Sequence, residues 1–306
     1  MNESIAIVVT YNRKELLQKN IRALLGQSRA DFDILVIDNA STDGTQELVG
    51  RMAEESSRIA YINTGSNLGG AGGFSYGMQI ACEKEYKYCW LMDDDTIPGE
   101  AAYEHMVDKL DFLQGDFSFI CSYVKWIDGT ICTMNIPGVK RSLITRLDLL
   151  DHNMLWVKTC SFVSVLINLE VARAVGLPIK EFFIYGDDAE YTLRLSGKRK
   201  GYWALDSIVE HRMGRNAGVD IVTEGEDRLD RHFYNVRNLT YIAKKYGING
   251  IPMCLLHTFG DTYRVLRYAS DKKRHRIALI WKGFWAGLWF HPAIIYVNKQ
   301  AGENGK

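Results

Sequence analysis

The chain has 306 residues, enough for one large domain or two small ones, and its 47% hydrophobic and 24% charged residues are an ordinary globular mixture. Lys and Arg total 37 and so do Asp and Glu, so the chain as a whole is not a basic nucleic-acid binder. Six cysteines (82, 89, 121, 132, 160 and 254) form no C-x-x-C pair and several lie in apolar runs, as expected of reduced, packed thiols in a cytosolic protein.

The N-terminal half alternates strand and helix. "SIAIVVTYN" predicts a first strand rather than a signal peptide, because it lacks a charged leader and a long apolar core. "RKELLQKNIRALLGQ" spaces Leu16, Leu17, Ile21, Leu24 and Leu25 as a helix closed by Gly26. "FDILVIDNAS" and "RIAYINT" predict strands on either side of the helix "TDGTQELVGRMAEES". "NLGGAGGFSYGMQIACEKE" is a glycine-rich loop opening a helix, and "KYCWLMD" is a fourth strand. Such alternation implies right-handed crossovers and a parallel sheet, with ligands at the carboxyl ends of the strands. Four polar clusters fall there: Thr10 to Arg13, Asp38-Asn39, residues 63–73, and Asp93 to Asp95.

The C-terminal half is less regular. Strand-like runs occur at "SFICSYVKW", "TICTM" and "SFVSVLINL", the last leading into a helix stopped by Gly176 and Pro178. "EFFIYGDDAEYTLRLSGKRKGYWALDSIVEHRMG" combines a turn, a helix and a strand ending near His211, and "EDRLDRHFYNVRNLTYIAKKYG" is a helix. There is no internal repeat and no low-complexity linker.

Three adjacent carboxylates, Asp93, Asp94 and Asp95, end the apolar fourth strand. Two such charges about 4 Å apart repel by roughly 4 kcal/mol at an effective dielectric near 20. A raised pKa, a paired base or a cation relieves this, and no Lys or Arg lies between Lys87 and Lys109. Alternation along an extended segment puts Asp93 and Asp95 on one side, suited to one Mg²⁺ or Mn²⁺. The alternative is an acidic turn capping the next helix.

Gly69, Gly70, Gly72 and Gly73 permit close approach of backbone amides to a diphosphate at a helix N-terminus. The spacing is not the G-x-G-x-x-G of dinucleotide-binding folds, and plain helix packing is the other use of such glycines. In "YGDDAEYTLRL", Asp187 or Asp188 can cap the following helix. Either can also take the proton of an attacking hydroxyl, one ionised as base and one binding a hydroxyl. His211 is a candidate third metal ligand or a structural histidine.

The pieces "VVTYNR", "VIDNASTDGT", "NLGGAGGF", "WLMDDDTIP" and "GDDAEYTLRL" together resemble the family-two, GT-A-fold, inverting glycosyltransferases. "NLGGAGGF" and the late "EHR" are most similar to bacterial galactofuranosyltransferases, with rhamnosyltransferases next. The resemblance implies an α/β fold of GT-A type: an N-terminal Rossmann-like, mostly parallel sheet flanked by helices, then an acceptor-side region and a helical tail. Residues 1–215 would be the catalytic domain and 216–306 a C-terminal helical region in contact with a membrane surface or another subunit. Thr10, Tyr11 and Arg13 would lie at the nucleotide and Asp38 at uracil or ribose. Asn67 and glycines 69, 70, 72 and 73 would line the diphosphate and donor sugar, with Asp93 and Asp94 also at the nucleotide-sugar. Asp93, Asp95 and His211 would hold Mn²⁺ or Mg²⁺. Asp188 would be the base, Asp187 would bind the acceptor, and Trp156 stands alone near the acceptor segment. The implied activity is metal-dependent inverting transfer, with galactofuranose from UDP-galactofuranose as first choice. The acceptor would be a hydroxyl of a glycan or polyprenyl-diphosphate-linked saccharide in cell-surface polysaccharide synthesis. Transfer of rhamnose from a dTDP-sugar is the alternative enzyme. A non-catalytic nucleotide-sugar or glycan-binding module is a third reading, opposed by the intact carboxylate set.

At the carboxyl end, basic residues from Arg267 to Arg276 precede an apolar run with six aromatics. Lys282, His291 and Pro292 interrupt that run, so residues 267–297 are expected to lie on the cytoplasmic face of a membrane rather than cross it. A helix docked on the protein's own core is the alternative.

Overall fold

A computed structural model describes residues 2–139, 141–247 and 250–297 of the chain. Its first part is β1 (Ser4–Thr10), α1 (Lys14–Leu25), β2 (Phe32–Asp38), α2 (Thr45–Glu55), β3 (Ile59–Asn63), α3 (Gly69–Glu83) and β4 (Tyr88–Asp93). All seven elements read from the sequence are present. The four strands are parallel, in the order β3-β2-β1-β4. β1 is buried along its whole length, so its residues form an unbroken apolar run rather than an alternating one. Register pairs Thr10 with Asp38 and Val9 with Asp93, which aligns the polar strand ends. α1 turns Leu17, Ile21 and Leu24 onto one face of the sheet, and α3 packs Phe74, Met78 and Ala81 on the other.

The sheet continues through the less regular half. After β5 (Thr96–Pro98), α4 (Ala102–Val107) and α5 (Leu110–Leu113) come β6 (Phe119–Trp126), β7 (Gly138–Val139), β8 (Met154–Thr159) and β9 (Val165–Asn168). α6 (Leu169–Val175), α7 (Asp187–Ser196) and β10 (Gly201–His211) follow. The strand order is β3-β2-β1-β4-β9-β6-β10-β8-β7, with β5 paired to β10. β9 lies antiparallel between β4 and β6, so the parallel half gives way to a mixed half. Trp90 is wholly buried, edge-on to Phe32 and tilted on Tyr103, and its Nε1 donates to Ser164 Oγ across the sheet. Truncating such a residue to Ala typically costs about 3–5 kcal/mol. The run "TICTM" is not a strand: it forms one isolated bridge, Lys125 to Ile131, and a 3₁₀ turn at Thr133–Asn135.

The C-terminal region is helical: α8 (Glu226–Leu229), α9 (Arg231–Tyr246), α10 (Gly250–Tyr268) and α11 (Lys273–Trp289). The single helix expected over 226–247 is therefore two, broken at Asp230. Ile221, Leu229, Val265, Leu279 and Ile280 form a small core of their own. Phe182, between α6 and α7, packs with Tyr241 and Phe290 in a second cluster that joins the two parts. Beyond α11 the chain returns to the sheet side, where Leu177 N–H donates to Ile295 O and Ile295 and Val297 pack on the main core. A Cβ on Gly176, whose φ is +85°, would collide with Ile294. Among the described residues no helix is long and apolar enough to cross a membrane.

Candidate active site

A cavity of about 410 Å³ opens where β1 and β4 end. Asp93, Asp94 and Asp95 form one wall, and Asp187 and Asp188 another. Thr10, Tyr11, Arg13, Asn67, Gly69, Gly70 and His211 also reach it. The topology thus gathers into one space residues as far apart in the sequence as Thr10 and His211.

The charge that balances the triplet is Arg13. Its Nη1 donates to Asp95 Oδ2 at 2.6 Å and reaches Asp94 Oδ1 at 3.4 Å. Thr10 Oγ1 donates to the other oxygen of Asp94 at 2.7 Å. Only Asp93 belongs to the strand. Asp94 and Asp95 occupy the turn between β4 and β5, so the strict alternation expected from sequence does not extend past Asp93. Burial, and then Asp95 and Asp94, push Asp93 up to about 8. Burial also raises Asp94, to about 6, with Arg13 opposing it. Asp95 goes the other way: burial would raise it, but the nearby His211 and the charge and hydrogen bond of Arg13 hold it below the usual range.

His211 ends β10 opposite Thr96, which places it beside Asp95. Its Nδ1 lies 2.9 Å from Asn135 Oδ1, an atom that can only accept, so Nδ1 carries the proton and Nε2 is turned to the cavity. Nε2 faces Asp95 Oδ1 at 3.2 Å, yet that buried oxygen makes no well-directed hydrogen bond. Burial alone would lower the imidazole, but Asp95 raises it to about 10, so without another cation it holds a second proton. A neutral imidazole anchored through Nδ1 and an unsatisfied carboxylate oxygen are a fitting donor pair for a divalent cation. Among the described residues no three His, Cys, Asp or Glu side chains come together as a metal-binding group. The remaining coordination positions would therefore fall to substrate oxygens and water, as is usual for Mg²⁺.

Asp187 and Asp188 open α7 after Gly186, whose φ is +77°. Asp188 Oδ1 accepts from Ala189 N–H at 2.7 Å. Burial raises Asp187 well above the ordinary range, with the Asp188 charge next in size, and burial raises Asp188 to about 6. Asp188 is therefore the member of the pair that ionises first, as a base working near neutral pH must.

Four expectations are corrected. Asp38 does not line the cavity: it is fully buried, accepting from Ser41 N–H and from Tyr61 OH, which fixes the turn after β2. Gly72 and Gly73 face protein, not ligand. A Cβ on Gly72 would strike Leu68, and one on Gly73 would strike Val9, so they let α3 lie close on β1. A Cβ on Gly69, whose φ is +72°, would strike Phe183 O, while one on Gly70 would meet nothing within 4 Å, leaving Gly70 open to the cavity. Trp156 sits in β8 opposite Tyr202, its ring 5.9 Å from Lys200 Nζ, away from the cavity.

In Trp156's place stand residues that the sequence did not single out. Phe162, Phe183, Tyr185 and Arg231 line the cavity together with Asp187 and Asp188. Tyr185 and Phe183 have positive φ (65° and 64°), and Arg231 comes from the first turn of α9. Asn135, the anchor of His211, comes from the 3₁₀ turn.

The parallel β3-β2-β1-β4 sheet ends on a carboxylate triplet that faces a second carboxylate pair across one cavity, the arrangement that the GT-A resemblance implies. The Glycosyl transferase family 2 model matches residues 5–162, more than half of the chain, and the chain belongs to that family. It is 27% identical over 295 residues to Galactofuranosyltransferase GlfT1 of Mycobacterium tuberculosis, covering 87% of this chain and 91% of the relative. Among solved structures, the mannosyltransferase PcManGT from Pyrobaculum calidifontis in complex with GDP-Man and Mn²⁺ superposes with a TM-score of 0.58 at 14% identity, over 94% of this chain and 87% of that one. GalNAc-T7 with UDP, GalNAc and Mn²⁺ gives a TM-score of 0.65 at 12% identity, over 94% of this chain and 56% of that one.

Proposed function

We propose that the protein is a metal-dependent, inverting transferase that moves galactofuranose from UDP-galactofuranose to a hydroxyl of a glycan or lipid-linked saccharide. The observation that carries this is the pairing of two carboxylate sets in one cavity, Asp93 to Asp95 and Asp187-Asp188. The first set suits a cation and a diphosphate, and the second suits a base. The similarity to a galactofuranosyltransferase over nearly the whole chain supports the choice of sugar.

Thr10, Tyr11 and Asn67 would hold the nucleotide and donor, with Gly70 at the diphosphate. Mn²⁺ or Mg²⁺ held at Asp95 and His211, with Asp93 beside them, would offset negative charge on the diphosphate. Asp188 takes the proton of the acceptor hydroxyl. That oxygen forms a bond to the anomeric carbon as the bond from this carbon to the diphosphate oxygen breaks, and the electron pair leaves on the nucleoside diphosphate. A single displacement from the opposite face inverts the anomeric centre. Asp187, protonated more readily than Asp188, would donate a hydrogen bond to the acceptor.

We further place the C-terminal region at a membrane surface. Trp285 and Trp289 on α11 are exposed, and Leu256, Phe259, Tyr263 and Leu266 on α10 are exposed at helical spacing. Arg276 does not serve this surface: it is buried, and its guanidinium bonds Asp271, Ile221 O and Glu224 O.

The test of function is a donor panel. Purified protein with Mn²⁺ is given UDP- and dTDP-sugars with a lipid-linked saccharide, and nucleoside diphosphate release is measured. Release with UDP-galactofuranose supports the proposal, release only with a dTDP-sugar makes the protein a rhamnosyltransferase-type enzyme, and binding without release makes it a binding module.

A further inference from the structure

The segment joining α6 to α7 is wound in an unusual way. Phe183 has φ 64° and ψ −59°, and Ile184 N–H donates back to Phe182 O at 2.7 Å. This is the right-side-positive form of the three-residue γ-turn, which is rare and strained. Two residues on, Tyr185 (φ 65°) and Gly186 (φ 77°) are also left-handed. Non-glycine residues held in sparse backbone regions cost on the order of 1–3 kcal/mol each and persist only when their surroundings over-determine them. The residues that follow at once are Asp187 and Asp188.

The constraint comes from the C-terminal region. Asn238 of α9 is fully buried, and its single amide nitrogen donates to Phe182 O at 3.0 Å, Ile184 O at 3.1 Å and Tyr185 O at 2.7 Å. Arg237 Nε holds the other end of that amide through Asn238 Oδ1 at 2.9 Å, and its Nη2 donates to Glu181 O and Phe182 O. The same loop touches the donor side, because Ala71 N–H donates to Phe183 O. No backbone partner from the sheet could collect three carbonyls that point to one spot. A side-chain amide with two hydrogens, one of them shared, can.

We propose that Asn238 is a positioning residue for the transfer reaction: it holds the strained loop 182–186 in the one conformation that aims Asp187 and Asp188 into the cavity. The inference rests on the carboxylate pair being the acceptor-side machinery of the proposed transferase. It makes α9 a working part of the site, though Asn238 itself does not line the cavity.

The experiment compares Asn238→Ala with Val265→Ala, which removes buried volume from the separate C-terminal core and serves as a stability control. Asn238→Ala is expected to lower kcat at least tenfold and shift the acid limb of the pH profile. Its UDP affinity should stay within threefold, and amides 183–189 should exchange hydrogen faster. Asn238→Gln, which keeps the amide one methylene further out, should fall between the two, and it also serves if the alanine variant does not fold. A kcat within twofold of the parent would overturn the proposal. So would a loss matched by Val265→Ala at equal loss of thermal stability. If the parent turns over no donor, the functional reading fails by itself. The proposal is then decided by hydrogen exchange, and unchanged protection of 183–189 in Asn238→Ala would overturn it.

Discussion

Arg13 Nη1 stands 2.6 Å from Asp95 Oδ2, bridging the start of α1 to the turn after β4. A half-exposed guanidinium therefore neutralises part of the negative charge that the carboxylate wall turns to the cavity. Arg13 acts where a divalent cation and its diphosphate would add further charge of both signs. Arg13→Met should therefore lower the Tm of the metal-free protein, and Mn²⁺ with UDP should narrow the gap. Calorimetry with and without the pair checks this, and an equal gap in both states would separate Arg13 from the cation site.

Asp95 is held below the ordinary carboxylate range, and its free oxygen faces His211 Nε2. Asp95→Ala should abolish transfer and remove metal-dependent UDP binding by titration calorimetry. Full activity of the parent in excess EDTA would contradict the metal requirement.

Asp188→Asn keeps shape and removes basicity. A positioned base contributes typically about 10²–10⁴-fold, so kcat should fall by that order while UDP affinity stays within about threefold. Normal kcat in Asp188→Asn with a dead Asp187→Asn would reverse the two roles. In the parent, the acid limb of kcat/KM should fall near the value of about 6 to which burial raises Asp188.

The same carboxyl makes a prediction about folding. Its folded pKa of about 6 lies above the unfolded value near 3.8. The folded state thus holds this proton more tightly, and the stability it contributes is complete below the unfolded pKa and lost as pH rises through about 6. Asp188→Asn should therefore be more stable than the parent at pH 8, by about 1–3 kcal/mol, and no more stable near pH 4. Denaturant unfolding at the two pH values measures it, and a gain at pH 4 alone would have the wrong sign.

At the carboxyl end, anionic vesicles should sediment the protein and salt should weaken the effect, with roughly 1 kcal/mol from each basic residue near the surface. Trp285→Ser with Trp289→Ser, or Lys273→Gln with Arg274→Gln, should reduce co-sedimentation. Recovery in the supernatant with every lipid and salt tested would make the exposed rings of α10 and α11 something other than a membrane contact.

The parallel half was legible because its signals are local. Apolar runs of strand length, helical spacing in Leu17, Ile21 and Leu24, and carboxylates at strand ends each need only a short window. The convergence of Thr10, Arg13 and Asp95 on one cavity followed from topology, since parallel strands must finish on one edge. The partnership of Arg13 with Asp95 spans 82 positions and could not be seen in any window. Gly72 and Gly73 misled because glycine serves a close helix-to-strand approach as well as a phosphate. Trp156 was named for its place near the acceptor segment of the resembled family, whereas the register of β8 sets it opposite Tyr202 of β10, away from the cavity. Tyr185 and Arg231 were missed because a left-handed tyrosine and the first turn of a helix carry no periodic signal.

The return of the chain after α11 orders events during synthesis. Ile295 must emerge before it can accept from Leu177, and Phe290 before it can close on Phe182 and Tyr241. Translation supplies about 5–20 residues per second, so the sheet is made several seconds before the helices that clasp the loop ahead of Asp187. A chain released after His211 would therefore keep every strand of the sheet but leave the loop ahead of Asp187 unfastened. Turnover should appear abruptly, only when the final helix and the segment beyond it have cleared the exit tunnel.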